Sequence, residues 1–208
     1  MLAYSQFTSN LSRDWISIPP TQEKKSGVVF PFYGTDEEAE GLILTQRAKH
    51  LKSHPGQISF PGGVMDNSDS NLLETALREW EEEMGVSKSH LDILGRVDGL
   101  LTRTGFHITP FIAKYNGDFQ FSHNTDEVDN IILLPLKKLW EKPFYSIQIP
   151  NRKPEEYAYY FDFDEGLLWG ATCEIILNFL KTHSQFDRIP KLVRPNLSHP
   201  PFLNPKLL

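Results

Sequence analysis

Apolar side chains recur along residues 72–84 at the spacing of an α-helix. At about 100° per residue, one side of that helix collects Leu72, Leu73, Ala76, Leu77, Trp80 and Met84. Asn71 with Glu74 three residues later fits a capping box, and Gly85 stands where a left-handed C-terminal cap is expected. The pattern therefore predicts a helix from about Leu72 to Met84 with its apolar side buried.

The rest of the chain mixes short apolar runs with turn residues. Such runs predict strands over residues 26–33, 41–48, 58–60, 91–101, 107–115, 130–135 and 157–163. A short helix is predicted over residues 136–140 and a second main helix over 168–181, whose inward side would carry Ala171, Ile175, Ile176, Phe179 and Leu180. Strands mixed with two main helices at long intervals indicate the α+β fold class.

Three segments follow from this pattern. Residues 1–25 form an N-terminal arm, residues 26–182 the main domain, and residues 183–208 a Pro-rich C-terminal tail. The tail is unsuited to a helix or a central strand because of five prolines, Pro190, Pro195, Pro200, Pro201 and Pro205. We expect an extended tail that either packs on the domain or mediates contacts.

Composition narrows the class of protein. A chain of 208 residues with 39% hydrophobic residues can bury one core in one domain. The single cysteine, Cys173, excludes an internal disulfide and is typical of a reducing cytosol. There is neither an apolar run of roughly 20 residues nor a secretory signal in residues 1–20, so we expect a cytoplasmic protein that is not in a membrane. The net charge of −6 argues against a nucleic-acid partner.

The predicted helix carries its acids in two groups. Glu79, Glu82 and Glu83 lie together at one edge of the apolar side, whereas Glu74 and Glu81 lie at the other edge. Like charges one turn apart repel each other, which favours a bound cation, and oxygen ligands suit Mg²⁺ or Mn²⁺. A solvated acidic surface is the alternative interpretation of these residues alone.

The segment before the helix adds a glycine turn and cations. Phe60-Pro61-Gly62-Gly63 ends a predicted strand in a tight turn where backbone can approach a ligand closely. A group of cations precedes that turn: Arg47, Lys49, His50, Lys52 and His54. We expect Arg47 to contact phosphate, whereas Lys49 and Lys52 are typical surface groups and His54 could equally organise its own turn.

Together these residues resemble the Nudix box. Its fixed positions are filled by Gly63, Arg78, Glu79, Trp80, Glu82, Glu83, Gly85 and Val86. Two features depart from the general box, because Asp69 stands in place of its first Glu and the spacing from Asp69 to Arg78 is one residue longer. These departures put only the role of Asp69 in doubt.

Segments outside the box resemble the coenzyme A diphosphatase branch of the same superfamily, which also tends to have the longer loop with Asp. The upstream matches are Leu44–Ala48 and Leu51–Pro61. The later matches are Thr102–Pro110, Glu127–Val128, Leu134–Leu136 and Leu168–Thr172. This resemblance implies a Nudix α/β/α sandwich with a mixed β-sheet between helices and hydrolysis of a nucleoside diphosphate derivative with Mg²⁺ or Mn²⁺.

The resemblance also implies roles for individual residues. Glu79 and Glu83 are expected to bind the metal, with Glu82 as third ligand or general base and Glu127 as a rival base. Arg78 would fix the glycine turn by pairing with a carboxylate or loop carbonyls. The expected substrate-binding residues are Arg47, His54, Gln57, Phe60, Gly62, Gly63 and Arg103.

The substrate and the oligomeric state stay open at this point. Coenzyme A is the favoured small-molecule substrate, giving 3′,5′-ADP and 4′-phosphopantetheine. The alternatives are another dinucleotide, such as NADH or ADP-ribose, and a non-catalytic nucleotide-binding regulator. The intact set of Glu79, Glu82 and Glu83 disfavours that regulator, since a pure binding module does not need to activate water. A homodimer is compatible with the sequence.

Overall fold

The computed structural model describes residues 2–17, 22–148 and 157–193. The helices are α1 (Leu72–Met84), α2 (Lys137–Glu141) and α3 (Gly170–His183). The strands are β1 (Leu2–Ala3), β2 (Lys24–Gly34), β3 (Glu38–Arg47), β4 (Ile58–Ser59), β5 (Gly62–Val64), β6 (Leu91–Arg96), β7 (Leu100–Leu101), β8 (Phe106–Tyr115), β9 (Val128–Pro135), β10 (Phe144–Gln148), β11 (Tyr157–Phe163), β12 (Gly166–Trp169) and β13 (Lys191–Val193).

A mixed sheet forms the centre of the molecule. Its strand order is β1-β3-β2-β8-β6, with β2 and β8 parallel and the other pairs antiparallel, and β4, β5, β7 and β9 attach to these strands. Helix α1 packs through Trp80 and Met84 in the core that contains Val29 of β2. Helix α3 packs in a separate core that contains Phe30. Because neighbouring residues of a strand face opposite sides, the sheet lies between the two helices, as expected for the α+β sandwich.

The limits of α1 match the prediction, and local chemistry explains both. The Asn71 side chain accepts a hydrogen bond from the Glu74 N–H at 3.0 Å, and Gly85 ends the helix at φ 64°, in the left-handed region. The return contact of the predicted capping box is shifted by one residue, because the Glu74 carboxylate accepts from the N–H of Ser70 at 3.0 Å. The orientation of the acids on α1 is fixed by these two ends.

The glycine turn lies between two strands of the sheet. Strands β2 and β3 pair directly only near the end of β2, whereas the start of β2 pairs with β5 and the end of β3 pairs with β4. The Pro61 carbonyl accepts a hydrogen bond from the Val29 N–H at 2.9 Å. This arrangement brings the turn, the end of β3 and helix α1 to one end of the sheet.

The sequence interpretation missed several elements. Strands β10, β12 and β13 were not predicted, and the predicted strand 91–101 is split into β6 and β7. The start of the predicted second helix was wrong, because Leu168 pairs with Phe161 as part of strand β12 and the helix begins at Gly170. Apolar runs of four or five residues do not distinguish a short strand from a helix end.

The two ends of the chain pack on the domain where they are described. Leu2, Phe7 and Leu11 of the arm are buried, and the Phe7 ring lies 5.2 Å from that of Phe179. In the tail, Phe186 is buried and β13 adds a parallel edge strand next to β10. The predictions for Pro195, Pro200, Pro201 and Pro205 fall outside the described residues. No helix in the described parts of the chain is long and apolar enough to span a bilayer.

Candidate active site

Three carboxylates converge at this end of the sheet. Glu79 and Glu83 lie one turn apart on α1, and Glu127 lies directly before β9; each offers an oxygen, and these oxygens lie within 4.8 Å of one another. Across residues 2–17, 22–148 and 157–193, no other group of three His, Cys, Asp or Glu side chains is this close. Oxygen donors in this number match the ligand preference of Mg²⁺ and Mn²⁺.

Glu83 is the most unusual of the three carboxylates. Its exposed fraction is 3%, and burial, together with the negative charges of Glu79 and Glu127, raises its pKa to about 8. A hydrogen bond from the Gly62 N–H at 3.2 Å and the charge of Arg47 act in the opposite direction. No cation among the described residues forms an ion pair with Glu83. Burial without a counter-charge is costly, and a bound cation would supply that charge.

The two glycines of the turn are required by geometry. A Cβ on Gly63 would lie 2.3 Å from the carboxylate of Glu79, so a side chain there would displace a proposed ligand. Gly62 has φ 151°, and a Cβ there would meet the Gly27 carbonyl at 2.5 Å. The turn therefore holds Glu79 and Glu83 by direct backbone contact, while contacts of Gly62 and Gly63 with substrate remain predictions.

Arg78 connects the loop to the acids of α1. Its guanidinium makes two hydrogen bonds of 3.0 Å to Asp69 and bonds of 2.9 Å to both Glu79 and Glu82. The Arg78 hydrogen bonds hold the pKa of Asp69 at about 2, and the buried Thr75 hydroxyl donates to the same carboxylate. Asp69 thus pairs with Arg78 despite the longer loop. Arg78 was predicted to pair with a carboxylate or loop carbonyls rather than with substrate; it pairs with carboxylates, and the absence of a contact with substrate stays a prediction.

Glu82 and Glu81 separate as the helical phase predicts. Glu82 lies on the same flank as Glu79, but its side chain is 53% exposed and its carboxylate binds Arg78. It does not belong to the group of three carboxylates, where Glu127 takes the third position. Glu81 lies on the other flank and accepts from the Lys88 N–H at 3.0 Å. The role of Glu82 as ligand or base stays a prediction.

Arg47 closes the loop that precedes the glycine turn. Its N–H donates to the Gln57 carbonyl at 2.9 Å, and its carbonyl accepts from the Gly56 N–H at 3.0 Å. Within the described residues, its guanidinium makes no hydrogen bond or ion pair. His54, at φ 55°, organises its own turn by accepting from the Gln57 N–H at 3.3 Å. Arg47 is thus available to a ligand. Its positive charge acts on the carboxylate group, because it lowers the pKa of Glu83.

Two other residues, Phe60 and Arg103, were also predicted to bind substrate. The Phe60 side chain is 4% exposed and packs on Phe30 with ring centroids 4.5 Å apart, so its side chain stabilises the core and is not available to substrate. Arg103 is exposed in the turn that leads into β8, at the same end of the sheet, and its contact with substrate stays a prediction. Sequence spacing could not separate a buried aromatic residue of this turn from an exposed one.

Comparison with known families decides the class of protein. Residues 24–162 match the model of the NUDIX domain. The chain belongs to the Nudix family. A Nudix hydrolase is a pyrophosphohydrolase, so this protein is a diphosphatase that acts on nucleotide derivatives. The acidic group on α1 and Glu127 is consistent with the divalent metal that the family typically uses.

Individual relatives agree with this assignment. The uncharacterized Nudix hydrolase NudL of Yersinia pestis is 33% identical over 154 residues, which cover 74% of this chain and 76% of that protein. Its counterpart in Yersinia pseudotuberculosis matches equally well. A NUDIX hydrolase from Nitrosomonas europaea aligns with 16% identity, a TM-score of 0.49 and coverage of 86% of this chain and 83% of that one. The C. elegans Ap4A hydrolase aligns with 18% identity, a TM-score of 0.47 and coverage of 56% and 83%. Similarity this low supports no further conclusion about this protein.

Proposed function

We propose that this Nudix hydrolase cleaves the diphosphate bond of coenzyme A. The observation that carries the proposal is the segment of residues 44–61, which resembles the coenzyme A diphosphatase branch. In this protein that segment forms the end of β3, the Arg47 loop and β4, and it runs directly into the glycine turn that contacts Glu79 and Glu83. The position of this segment beside the carboxylates that are expected to perform the reaction supports the proposal.

Mg²⁺ or Mn²⁺ fits the residues that are present. Glu79, Glu83 and Glu127 would hold it, because they provide an all-oxygen donor set and because Glu83 is buried without a counter-charge. When bound, a divalent cation neutralises diphosphate oxygens and lowers the pKa of an attacking water. Water adds to one phosphorus of the diphosphate while the bond between that phosphorus and the bridging oxygen breaks. The expected products are therefore two phosphomonoesters, 3′,5′-ADP and 4′-phosphopantetheine.

The remaining residues of the site orient these carboxylates and move a proton. Gly62 holds Glu83 through its N–H, and Arg78 orients Glu79. We assign Glu127 and not Glu82 to the cation site, because Glu127 lies with the two other carboxylates whereas Glu82 is paired with Arg78. One oxygen of Glu127 would hold the cation, and its other oxygen would receive the proton of the attacking water. Glu82 then acts by keeping Arg78 in place.

Arg47 is our candidate for recognition of the 3′-phosphate. It ends β3, its positive charge lowers the pKa of Glu83, and its guanidinium forms no hydrogen bond or ion pair with the described residues. A charge-assisted contact from Arg47 to that phosphate would distinguish coenzyme A from dephospho-coenzyme A by roughly tenfold to a hundredfold in kcat/KM. Nucleotides without a 3′-phosphate would be poorer substrates for the same reason.

The test is hydrolysis of a panel of substrates, with products identified by mass. Coenzyme A, NADH, ADP-ribose and 8-oxo-dGTP are each incubated with the protein and Mg²⁺. We expect the highest kcat/KM for coenzyme A and formation of 3′,5′-ADP. Preference for NADH or ADP-ribose would contradict the substrate, and hydrolysis of none of the four, with nucleotide binding retained, would favour a regulator.

A second comparison tests the 3′-phosphate contact. Preference for coenzyme A over its dephospho form should shrink in Arg47→Ala and remain in Arg13→Ala, since Arg13 is an exposed arginine of the N-terminal arm. Equal rates for the two substrates in the wild-type protein would remove the contact but leave diphosphate hydrolysis unaffected.

A further inference from the structure

The loop that carries Glu127 is fastened to the end of helix α1. The N–H of Asn124 donates to the carbonyl of Glu83 at 3.0 Å. This hydrogen bond connects the loop to one of the three residues of the carboxylate group. Gly85 lies directly against the loop, because a Cβ there would be 2.0 Å from the Ser122 carbonyl oxygen. The third carboxylate is thus brought to α1 by contacts of the loop backbone.

The side chain of Asn124 acts within the loop itself. Its Oδ1 accepts a hydrogen bond from the Asp126 N–H at 3.0 Å, and its Nδ2 donates to Oε1 of Glu127 at 3.5 Å. The Asn124 carbonyl also accepts from the N–H of Glu127 at 3.1 Å and of Val128 at 2.9 Å. One amide side chain therefore has two separable roles, with its oxygen shaping the turn and its nitrogen contacting the Glu127 carboxylate.

The other hydrogen bonds of this loop do not involve the Glu127 carboxylate. The Glu127 carbonyl accepts from the Ala48 N–H at 2.8 Å, and His50 Nε2 lies 3.0 Å from the carbonyl of Asp126. Both contacts fix backbone and not the carboxylate. Among the hydrogen bonds of the described residues, the Asn124 amide is the donor that reaches that carboxylate. Removing that amide would leave the Glu127 carboxylate without a hydrogen bond to the described residues.

We propose that Asn124 is a positioning residue, which directs the Glu127 carboxylate toward Glu79 and Glu83 and so completes the cation site. This inference rests on the proposed role of those three carboxylates in binding Mg²⁺ or Mn²⁺. It does not depend on which nucleotide derivative is the substrate.

The test measures Mn²⁺ binding to the full-length, substrate-free protein by isothermal titration calorimetry. Two variants separate the two roles of the side chain. Asn124→Ala removes the oxygen and the nitrogen, whereas Asn124→Asp keeps an acceptor for the Asp126 N–H and loses the donor to Glu127. Asn116→Ala is the matched control, since the Asn116 side chain binds Asp92 just after the end of β8, away from the site. Glu83→Gln is the reference for loss of the site.

We expect the Kd for Mn²⁺ to rise about tenfold in both Asn124→Ala and Asn124→Asp, with an unchanged Kd in Asn116→Ala. The melting temperature of metal-free Asn124→Asp should not exceed that of the wild-type protein, because the turn is retained while a further negative charge lies beside Glu127. Wild-type Mn²⁺ binding by Asn124→Ala would overturn the inference, since the Glu127 carboxylate would then reach the cation without the Asn124 amide.

Failure of the proposed function gives a different result. If the protein binds Mn²⁺ as described but does not hydrolyse coenzyme A, the substrate is wrong and the role of Asn124 stands. If the wild-type protein binds no Mn²⁺, or if Glu83→Gln binds it equally well, the cation site is wrong and the inference falls with it.

Discussion

Asp69 and Glu83 are two buried carboxylates at the same end of the molecule with opposite electrostatic surroundings. Asp69 receives two hydrogen bonds from Arg78, one from the Thr75 hydroxyl and one from the Asp66 N–H, and its pKa lies at about 2. Glu83 receives one backbone hydrogen bond, from Gly62, and burial raises its pKa to about 8. The protein supplies the counter-charge of the first carboxylate but not of the second.

This difference distinguishes a structural carboxylate from one that binds a ligand. Asp69 forms an ion pair with Arg78, and Arg78 also binds Glu79 and Glu82. The charge of Asp69 is therefore balanced within the protein and requires no bound cation. Glu83 lies with Glu79 and Glu127 in one group of carboxylates, and among the described residues neither Glu83 nor Glu127 forms an ion pair, whereas Glu79 is paired with Arg78. A divalent cation would balance that charge, so we expect changes at Glu83 to affect catalysis and changes at Asp69 to affect both geometry and stability.

The largest effect is expected for Glu83→Gln. Loss of a metal ligand should remove the several kcal/mol that a cation contributes to the transition state, which corresponds to a loss of about a thousandfold in kcat. The metal-free variant should be more stable than the wild-type protein by roughly 2 to 4 kcal/mol at pH 8, because no charge is then buried. Denaturant unfolding and steady-state kinetics measure these changes, and wild-type activity at low Mg²⁺ would refute the assignment.

Asp69→Asn is expected to have the next largest effect. Removing this partner leaves Arg78 without its bidentate contact and should destabilise the protein by about 1 to 3 kcal/mol. Activity should fall roughly tenfold to a hundredfold, since Arg78 then no longer orients Glu79. The matched control is Asp14→Asn, which breaks the surface pair with Arg96 and should have little effect on stability, because solvent screens exposed ion pairs. Equal effects of the two changes would mean that the pair of Asp69 with Arg78 contributes no more than a surface ion pair.

The smallest effects are expected on the two flanks of α1. Glu82→Gln removes a contact to Arg78 at 2.9 Å and should lower kcat/KM about tenfold. Glu81→Gln, on the other flank, affects an exposed pair with Lys88 and should stay within about twofold of wild type. Similar losses in both variants would show that the Glu79 flank does not face the reaction.

The sequence predicted the parts of the fold that are determined locally. Helix α1 was predicted from residue 72 to residue 84 because Asn71 and Gly85 signal its ends and because its apolar side is continuous. The small sheet of β10 to β13 was largely missed, since β10 and β12 are short apolar runs whose partners are distant along the chain. Their conformation depends on pairing, which local patterns do not reveal.

The same distinction applies to the candidate site. Residues on one element, such as Glu79 and Glu83, could be grouped from the helical phase alone. Glu127 lies 44 positions after Glu83, and only the fold brings the two together. Conversely, Phe60 has the sequence context of a ligand-binding turn, but tertiary packing buries its ring against Phe30. Family resemblance supplied Glu127 as a candidate, and the structure identified its neighbours.

The contrast between the two carboxylates also predicts how stability depends on pH. The ordinary pKa of a glutamate is 4.5, whereas Glu83 in the folded protein has a pKa of about 8. Because the folded state keeps this proton more tightly, Glu83 contributes stability below about pH 4.5, and this contribution is lost as the pH rises toward 8. In metal-free protein at pH 7, Glu83 is therefore mostly protonated.

Proton release on cation binding tests the central claim most directly. A cation binds the carboxylate form, so Mn²⁺ binding to the substrate-free protein at pH 7 should release about one proton per ion. The release should decline toward zero above pH 9, where Glu83 is already ionised. It is measured by titrating Mn²⁺ into weakly buffered protein with a pH indicator, with Glu83→Gln as the control. Tight binding at pH 7 without proton release, or the same release in Glu83→Gln, would contradict the account.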